Sequence, residues 1–292
     1  MSATSNEVWQ VNMVGLFEAL KSWANAQDDL EEPPWLALSV FEEKLPEGRL
    51  QLLFADEATA REFVRDHTLG PDVQVQCSPL ADENWIEKSL QGLPVVRAGR
   101  FYVHGAHHDV PADPALVSIL IEAGEAFGTG HHGTTKGCLL AFEDTLTAAP
   151  PARILDLGTG AGILAMAAAK VLPDADILAT DIDPVAVAVA HENAVINGVE
   201  DRIKLAVADG FAHESLKNRH FDLIFANILA NPLIALAGDI TAALAPASTL
   251  ILSGILDHQA ARVRTAYEGQ GIEFTREYAL GEWRVLVMKP RA

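Results

Sequence analysis

Four polar residues stand where apolar runs stop: Asp156, Asp181, Asp209 and Asn227. The runs before them, around Ile154-Leu155 and at 177–180, 203–207 and 221–226, alternate with helical stretches. Strands alternating with helices imply a parallel sheet. In such open sheets ligands bind outside the carboxyl ends of the strands. One aspartate there is ordinary turn chemistry; four such residues on successive strands point to a site.

The first of these residues is followed by glycines at alternate positions, Gly158, Gly160 and Gly162, and then by the alanine-rich segment 163–171. Strand, glycine turn and helix together make a nucleotide-cofactor geometry. Glycine lets the backbone approach a ligand where a Cβ would collide. The helix start offers unpaired N–H groups to an anionic or polar ligand. A second small-residue loop, 126–135, holds three glycines, three threonines and His131-His132 immediately before a helix expected over 136–146. Thr134 and Thr135 suit the first turn of that helix. The density of glycine goes beyond capping and suggests a lid of hydroxyls and amides over a ligand. His104, His107, His108, Asp109 and Asp113 also cluster in sequence. Prolines and glycine surround them and no second cluster supports them, so no metal site is expected.

Residues 8–77 alternate apolar periods of two and of 3.6 in the order β-α-β-β-α-β. That is the order of a ferredoxin-like unit. Residues 79–116 read as a linker with a short helix at 84–90 and two short strands at 95–103. From 117 onward the alternating pattern runs to the end, with strands at 117–121, 154–157, 177–180, 203–207, 221–226 and 249–253. Helices are expected at 185–196, 233–244 and 257–267. Two last strands, 272–278 and 283–288, have no helix between them and suggest a hairpin with one antiparallel strand. The expected domains are therefore 1–78, the linker 79–116, and 117–292.

Composition narrows the function classes. A net charge of −19 repels nucleic-acid backbones and favours a basic partner. Cys77 and Cys138 form neither a disulfide framework nor a zinc spacing, so a reducing compartment is expected. The sequence has no signal-like start and no apolar stretch near the ~18–20 residues of a membrane span. A cytoplasmic protein is expected.

The glycine spacing selects the cofactor. A dinucleotide fingerprint needs its third glycine at position 163, which is Ile163. Asp181 falls where a carboxylate on the second strand binds a ribose. Asp209 offers an acceptor for the exocyclic amine of adenine, and Asn227 stands beside the expected place of chemistry. Ribose, adenine and an amino-acid end, with no phosphate, describe S-adenosylmethionine.

The motifs A-F-G-T-G-x-H-x-T-T (126–135), D-L-G-T-G-A-G-I-L-A (156–165), D-I-D-P (181–184), N-I-L-A (227–230), S-G-I-L (253–256) and E-W (282–283) resemble those of the PrmA-type ribosomal-protein methyltransferases. That family methylates protein eleven of the large ribosomal subunit. The match covers most of 82–290. His131 and Gly133 replace the threonine and proline usual in that pattern. The resemblance implies a class I, Rossmann-like methyltransferase with a mostly parallel seven-stranded sheet, plus a ferredoxin-like first domain that recognises the substrate. It implies cofactor contacts from Thr135, Gly158, Asp181 and Asn227. Gly160, Gly162 and Asp156 would shape the same pocket, Ile182 would pack on adenine, and Asp209 would bind its amine.

The mechanism expected is in-line transfer of a methyl group to a neutral amine, with positioning as the main catalytic effect. Phe127, Ile228 and Leu229 would wall the acceptor site, and Asn227 with backbone carbonyls would orient the amine. His132 is the candidate base, with a loop-structuring role as its alternative. The expected partner is a basic ribosomal protein, the expected state a monomer, with no metal and no nucleic acid or membrane bound. The alternatives are methyl transfer to another protein, a glutamine amide, a small molecule or RNA, a non-catalytic cofactor sensor, and a dehydrogenase. N-I-L-A differs from the N-P-P-Y of amide and base methylases, and the charge disfavours RNA.

Overall fold

The computed structural model describes residues 9–27, 34–35, 37–42, 46–67, 70, 72–79, 95–121, 132–146 and 150–291. The chain divides into two compact units, Met1–Glu83 and Asn84–Ala292.

The first unit contains β1 (Trp9–Leu16), α1 (Phe17–Ala26), β2 (Ala37–Glu42), β3 (Glu47–Phe54), α2 (Glu57–Asp66) and β4 (Gln74–Pro79). Its sheet has the order β2-β3-β1-β4, and every neighbouring pair is antiparallel. Period-two alternation buries Trp9, Val11 and Met13 on β1 and Leu50, Leu52 and Phe54 on β3. Leu20 of α1 and Phe63 of α2 close that core. Helix α2 starts where Asp56 accepts a hydrogen bond from the Thr59 N–H at 2.9 Å, an N-cap. The other face of the sheet is polar, with Gln10, Asn12, Gln51 and Ser78 joined by side-chain hydrogen bonds.

The second unit opens with β5 (Val96–Ala98), β6 (Phe101–His104) and β7 (Val117–Leu120), which form a three-stranded sheet of their own. The strand at 117–120 therefore pairs with the two short strands before it and not with the large sheet. Asn197 holds its outer edge: the Leu120 N–H donates to Asn197 Oδ1 at 3.0 Å, and Asn197 Nδ2 donates to the Leu120 carbonyl at 2.7 Å. The expected helix at 84–90 lies outside the described residues.

The rest of this unit runs α3 (His132–Leu146), β8 (Arg153–Leu157), α4 (Ile163–Val171), β9 (Asp176–Asp181), α5 (Pro184–Ile196), β10 (Ile203–Val207), β11 (Phe221–Asn227), α6 (Ala230–Ala235), α7 (Ala237–Ala242), β12 (Leu244–Leu256), α8 (Asp257–Glu268), β13 (Ile272–Leu280) and β14 (Trp283–Pro290). The seven-stranded sheet has the order β10-β9-β8-β11-β12-β14-β13. Its first five strands are parallel, and β14 is antiparallel to both neighbours. The expected helix at 233–244 is two short helices that meet at Leu236, whose side chain lies against Gly210.

Strands β8 and β11 lie at the centre, and Ile154, Leu155, Ile224 and Phe225 are all fully buried. Helices cover both faces, so these strands read as continuous apolar runs. Leu223, Phe225 and Ile154 belong to one core layer with α3 and α4; Ile224 and Leu155 belong to the other with α6, α7 and α8. Between β8 and β11 the strand order reverses, and a crevice opens at the carboxyl ends of such a pair.

Candidate active site

Alternation along the strands sorts the polar residues onto one face. Asp156, Asp181, Asn227 and Ser253 share parity with Ile154, Ala179, Phe225 and Ile251, which face the α3–α4 layer. Registers then set them side by side. Asn227 is opposite Ser253, and Leu157, just before the glycine turn, is opposite both Ala226 and Thr180.

The glycine turn is built from backbone strain that only glycine takes cheaply. Gly158, Gly160 and Gly162 have φ of 69°, 54° and 83°. The N–H groups of Gly158 and Thr159 both donate to the Thr180 carbonyl, at 2.8 and 2.9 Å. A Cβ on Gly158 would sit 2.2 Å from Ile228 Cγ2, and one on Gly162 would sit 3.2 Å from Ala190 Cβ. The first absence lets the loop after β11 close over the turn; the second lets α4 and α5 pack together.

Asp156 is 1% exposed. Its Oδ2 accepts from Thr159 Oγ1 at 2.6 Å and from the Ala165 N–H at 3.0 Å. The N-cap of α4 is Gly162, which has no side chain to offer, so a carboxylate from the preceding strand satisfies the N3 donor instead. Burial pushes this carboxyl up to about 6, against the lowering effect of those two hydrogen bonds. Asp181 is half-buried. Its Oδ2 accepts from the Gly160 N–H at 2.9 Å and its Oδ1 from the Asp183 N–H at 3.1 Å. A carboxylate oxygen has two lone pairs, so each oxygen keeps one for a ligand hydroxyl. Asn193, buried in α5, donates to the Ala161 carbonyl at 3.0 Å and holds the turn from behind.

Two large apolar side chains near this turn reach solvent. Ile182, beside Asp181, is 65% exposed, and Leu229, after Asn227, is 66% exposed. Asp209 is exposed past the end of β10. Asn227 is half-buried, and its side-chain amide makes no hydrogen bond with a described residue. Next to it, Gly254 has φ +78°, and a Cβ there would lie 2.2 Å from the Ile228 carbonyl oxygen. The backbone of the Asn227-Ile228 corner thus rests directly on Gly254.

Helix α3 begins at His132, so Thr134 and Thr135 are its third and fourth residues and neither is its N-cap. Thr134 is 1% exposed, and its carbonyl accepts from Ser253 Oγ at 3.4 Å. Thr135 is half-buried one residue on. Cys138, one turn further, is fully buried, and burial pushes its thiol up to about 12. A Cβ on Gly133 would meet Trp283 Cδ1 at 3.0 Å and the Leu280 carbonyl at 3.2 Å. The final hairpin therefore packs on the start of α3 through the absence of a side chain at Gly133. Phe127 and the side chain of His132 lie outside the described residues. Sequence reasoning assigned no role to Asn193, Ser253, Gly254 or Trp283. An Asn amid the apolar P-V-A-V-A-V-A-H-E-N helix was the available signal for Asn193.

The histidine cluster has other uses. His104 is buried, with Nδ1 against the Gly105 carbonyl at 2.9 Å and Nε2 against Ser118 Oγ at 2.7 Å. Among the described residues no three His, Cys, Asp or Glu side chains group as metal ligands. No described helix is long and apolar enough to cross a membrane.

Residues 21–291 match the model of the family described as ribosomal protein L11 methyltransferase (PrmA). The chain belongs to this family. A ribosomal protein L11 methyltransferase of Brucella suis is 48% identical over 236 residues, covering 80% of this chain and 81% of that one. One from Brucella abortus is 51% identical over 219 residues, 75% of each chain. The crystal structure of a ribosomal protein L11 methylase from Lactobacillus delbrueckii subsp. bulgaricus superposes with a TM-score of 0.61 at 30% identity, covering 68% of this chain and 99% of that one. The seven-stranded unit is the α/β methyltransferase fold, and the protein is an S-adenosylmethionine-dependent methyltransferase.

Proposed function

We propose that this chain methylates ribosomal protein L11 at lysine side chains, the N-terminal amine, or both. The observation that carries the reading is Asn227. Its amide makes no hydrogen bond with a described residue, it stands at the carboxyl end of β11 on the same sheet face as Asp156, and its corner is seated on Gly254.

The residues present fit S-adenosylmethionine. Asp181 keeps a lone pair on each oxygen for ribose hydroxyls, and exposed Ile182 beside it suits the flat face of adenine. Asp209 accepts from the adenine amine, Thr135 closes the site from α3, and the Gly158–Gly162 turn with Asp156 behind it shapes the floor. The cofactor, when bound, supplies an electrophilic methyl group on a sulfonium. The chain's own task is to present a neutral amine. A lysine starts near 10.4, and the acidic chain, which attracts a basic substrate, raises that value further. Desolvation by Ile228, Leu229 and Phe127 lowers it. The Asn227 amide oxygen and nearby backbone carbonyls accept N–H bonds from the amine and aim its lone pair. His132 is the candidate to receive the released proton.

Residues 1–78 act as the substrate-recognition domain, 79–116 as the connection and 117–292 as the catalytic domain. The first unit, Met1–Glu83, carries sixteen acidic side chains against five basic ones, which suits a basic ribosomal protein. The enzyme works as a cytoplasmic monomer without binding nucleic acid directly. The test is Asn227→Ala, assayed with tritiated S-adenosylmethionine and purified L11. With cofactor saturating, transfer is expected to fall about a hundredfold, the scale of lost positioning. Transfer at the wild-type rate would remove Asn227 from the mechanism; methylation of another acceptor and none of L11 would refute the substrate.

A further inference from the structure

The first unit carries an aromatic cluster at the rim of its core, where Trp23 and Trp35 pack on buried Phe63. Trp23 comes from the outer part of α1, Trp35 precedes β2, and Phe63 and His67 come from the end of α2 and just beyond it. Trp23 and Trp35 have ring centroids 6.1 Å apart at 47°. Both meet Phe63 edge-on, at 5.9 Å and 73° for Trp23 and at 5.7 Å and 81° for Trp35. His67 stacks on Phe63 at 4.2 Å and stands edge-on to Trp23 at 85°. Phe63 is 3% exposed and forms the floor, while the two tryptophans are half-buried and His67 is exposed. Neither indole N–H has a hydrogen-bond partner among the described residues. Both tryptophans are half-buried, so part of each ring reaches solvent.

Above the buried Phe63, the half-buried Trp23 and Trp35 rings lie at 47° and the exposed His67 ring at 85° to Trp23, so ring surface faces a ligand from more than one direction. Such faces attract a cation through the ring quadrupole, and alkylated ammonium groups most of all. A methylated ammonium sheds its thin hydration shell cheaply and has few or no N–H donors to satisfy. The unit's excess of sixteen acidic over five basic side chains adds long-range attraction for a cation on a basic chain. We infer that Trp23, Trp35, Phe63 and His67 form a binding site for a methylated amine of a basic protein, the chemical product of this enzyme. The identity of the occupant rests on the methyl-transfer reading above. Capture of a finished amine by the first unit would keep one substrate molecule associated while further amines are modified.

The test uses the full chain without S-adenosylmethionine and two lysine-rich peptides of identical sequence, one with a single trimethyl-lysine and one unmodified. Isothermal titration is expected to show at least about tenfold tighter binding of the trimethylated peptide, the scale of a desolvated cation–π contact. Trp35→Leu keeps an apolar side chain but removes a π-face, and is expected to abolish the discrimination; Trp35→Phe retains part of it. Equal affinities in the wild-type chain, or discrimination that survives Trp35→Leu, would overturn the inference. Should Trp35→Leu fail to fold, the wild-type chain decides. Tetramethylammonium, and not ammonium, is expected to shift the Trp23 and Trp35 indole resonances, and unmoved indoles would overturn the site. Methyl transfer to L11 is measured separately, so loss of that activity refutes the function and not the aromatic site, and the reverse also holds.

Discussion

Asp156→Asn makes the energetics of the glycine turn measurable. Both hydrogen bonds to this side chain end on Oδ2, from Thr159 Oγ1 and the Ala165 N–H. An asparagine placing its oxygen there accepts both, so the capping function survives while the buried charge is removed. In the wild-type chain burial raises this carboxyl from 3.8 to about 6. At about 1.4 kcal/mol for each tenfold change in proton affinity, that is about 3 kcal/mol. The sign follows from linkage: a carboxyl raised in the folded state binds its proton more tightly there, so folding is favoured below pH 3.8 and that gain is lost as pH rises through 6. The chain carries 40 Asp and Glu side chains in all. The useful quantity is therefore the stability of Asp156→Asn minus that of wild type, in which the others cancel. Urea unfolding followed by circular dichroism at several pH values is expected to show this difference increase in favour of the variant by about 2 kcal/mol between pH 4 and 7. A difference that stays flat across that range would show that the carboxyl is not held in an apolar environment, and the account of the turn would fail.

Three further outcomes follow from particular contacts. Gly254→Ala forces a left-handed residue, costing about 1–2 kcal/mol, and pushes a methyl against the Ile228 carbonyl; stability is expected to fall by at least that amount and methyl transfer to drop more than cofactor affinity by calorimetry. Asn197→Ala strips both partners from the backbone of Leu120 and is expected to cost about 2 kcal/mol, with faster hydrogen exchange at the Leu120 amide. Ellman's reagent at pH 8 is expected to reach Cys138 only on unfolding, because its thiol is fully buried and pushed up to about 12, whereas half-buried Cys77 reacts in the native protein.

Much of the catalytic unit was legible from periodicity, because central parallel strands must be apolar on both faces and their ends must be polar where a ligand binds. Asp183-Pro184 marked the start of α5 by local chemistry alone, and Asp183 Oδ1 does accept from the Val185 N–H at 2.8 Å. The same local rules set the start of α3 at 136, four residues after its first described residue His132, while Thr134 and Thr135 do lie in its first turn. They also missed the interruption at Leu236, where a tertiary contact with Gly210 accompanies the break between two helices.

The sequence by itself determined the order of elements, the four polar strand ends and the glycine spacing that excluded a dinucleotide. These are properties of residues close together in the chain, where period and turn chemistry decide. Only the tertiary structure decided how those residues are used. Asp156 and Asp181, 25 residues apart, look alike in sequence, yet one turns inward to cap α4 and the other keeps lone pairs toward solvent. Gly254 looked like part of a motif, and its reason is a carbonyl from Ile228 that chain order places 26 residues away. Burial and non-local contact set those roles, and neither quantity exists until the strands are laid side by side.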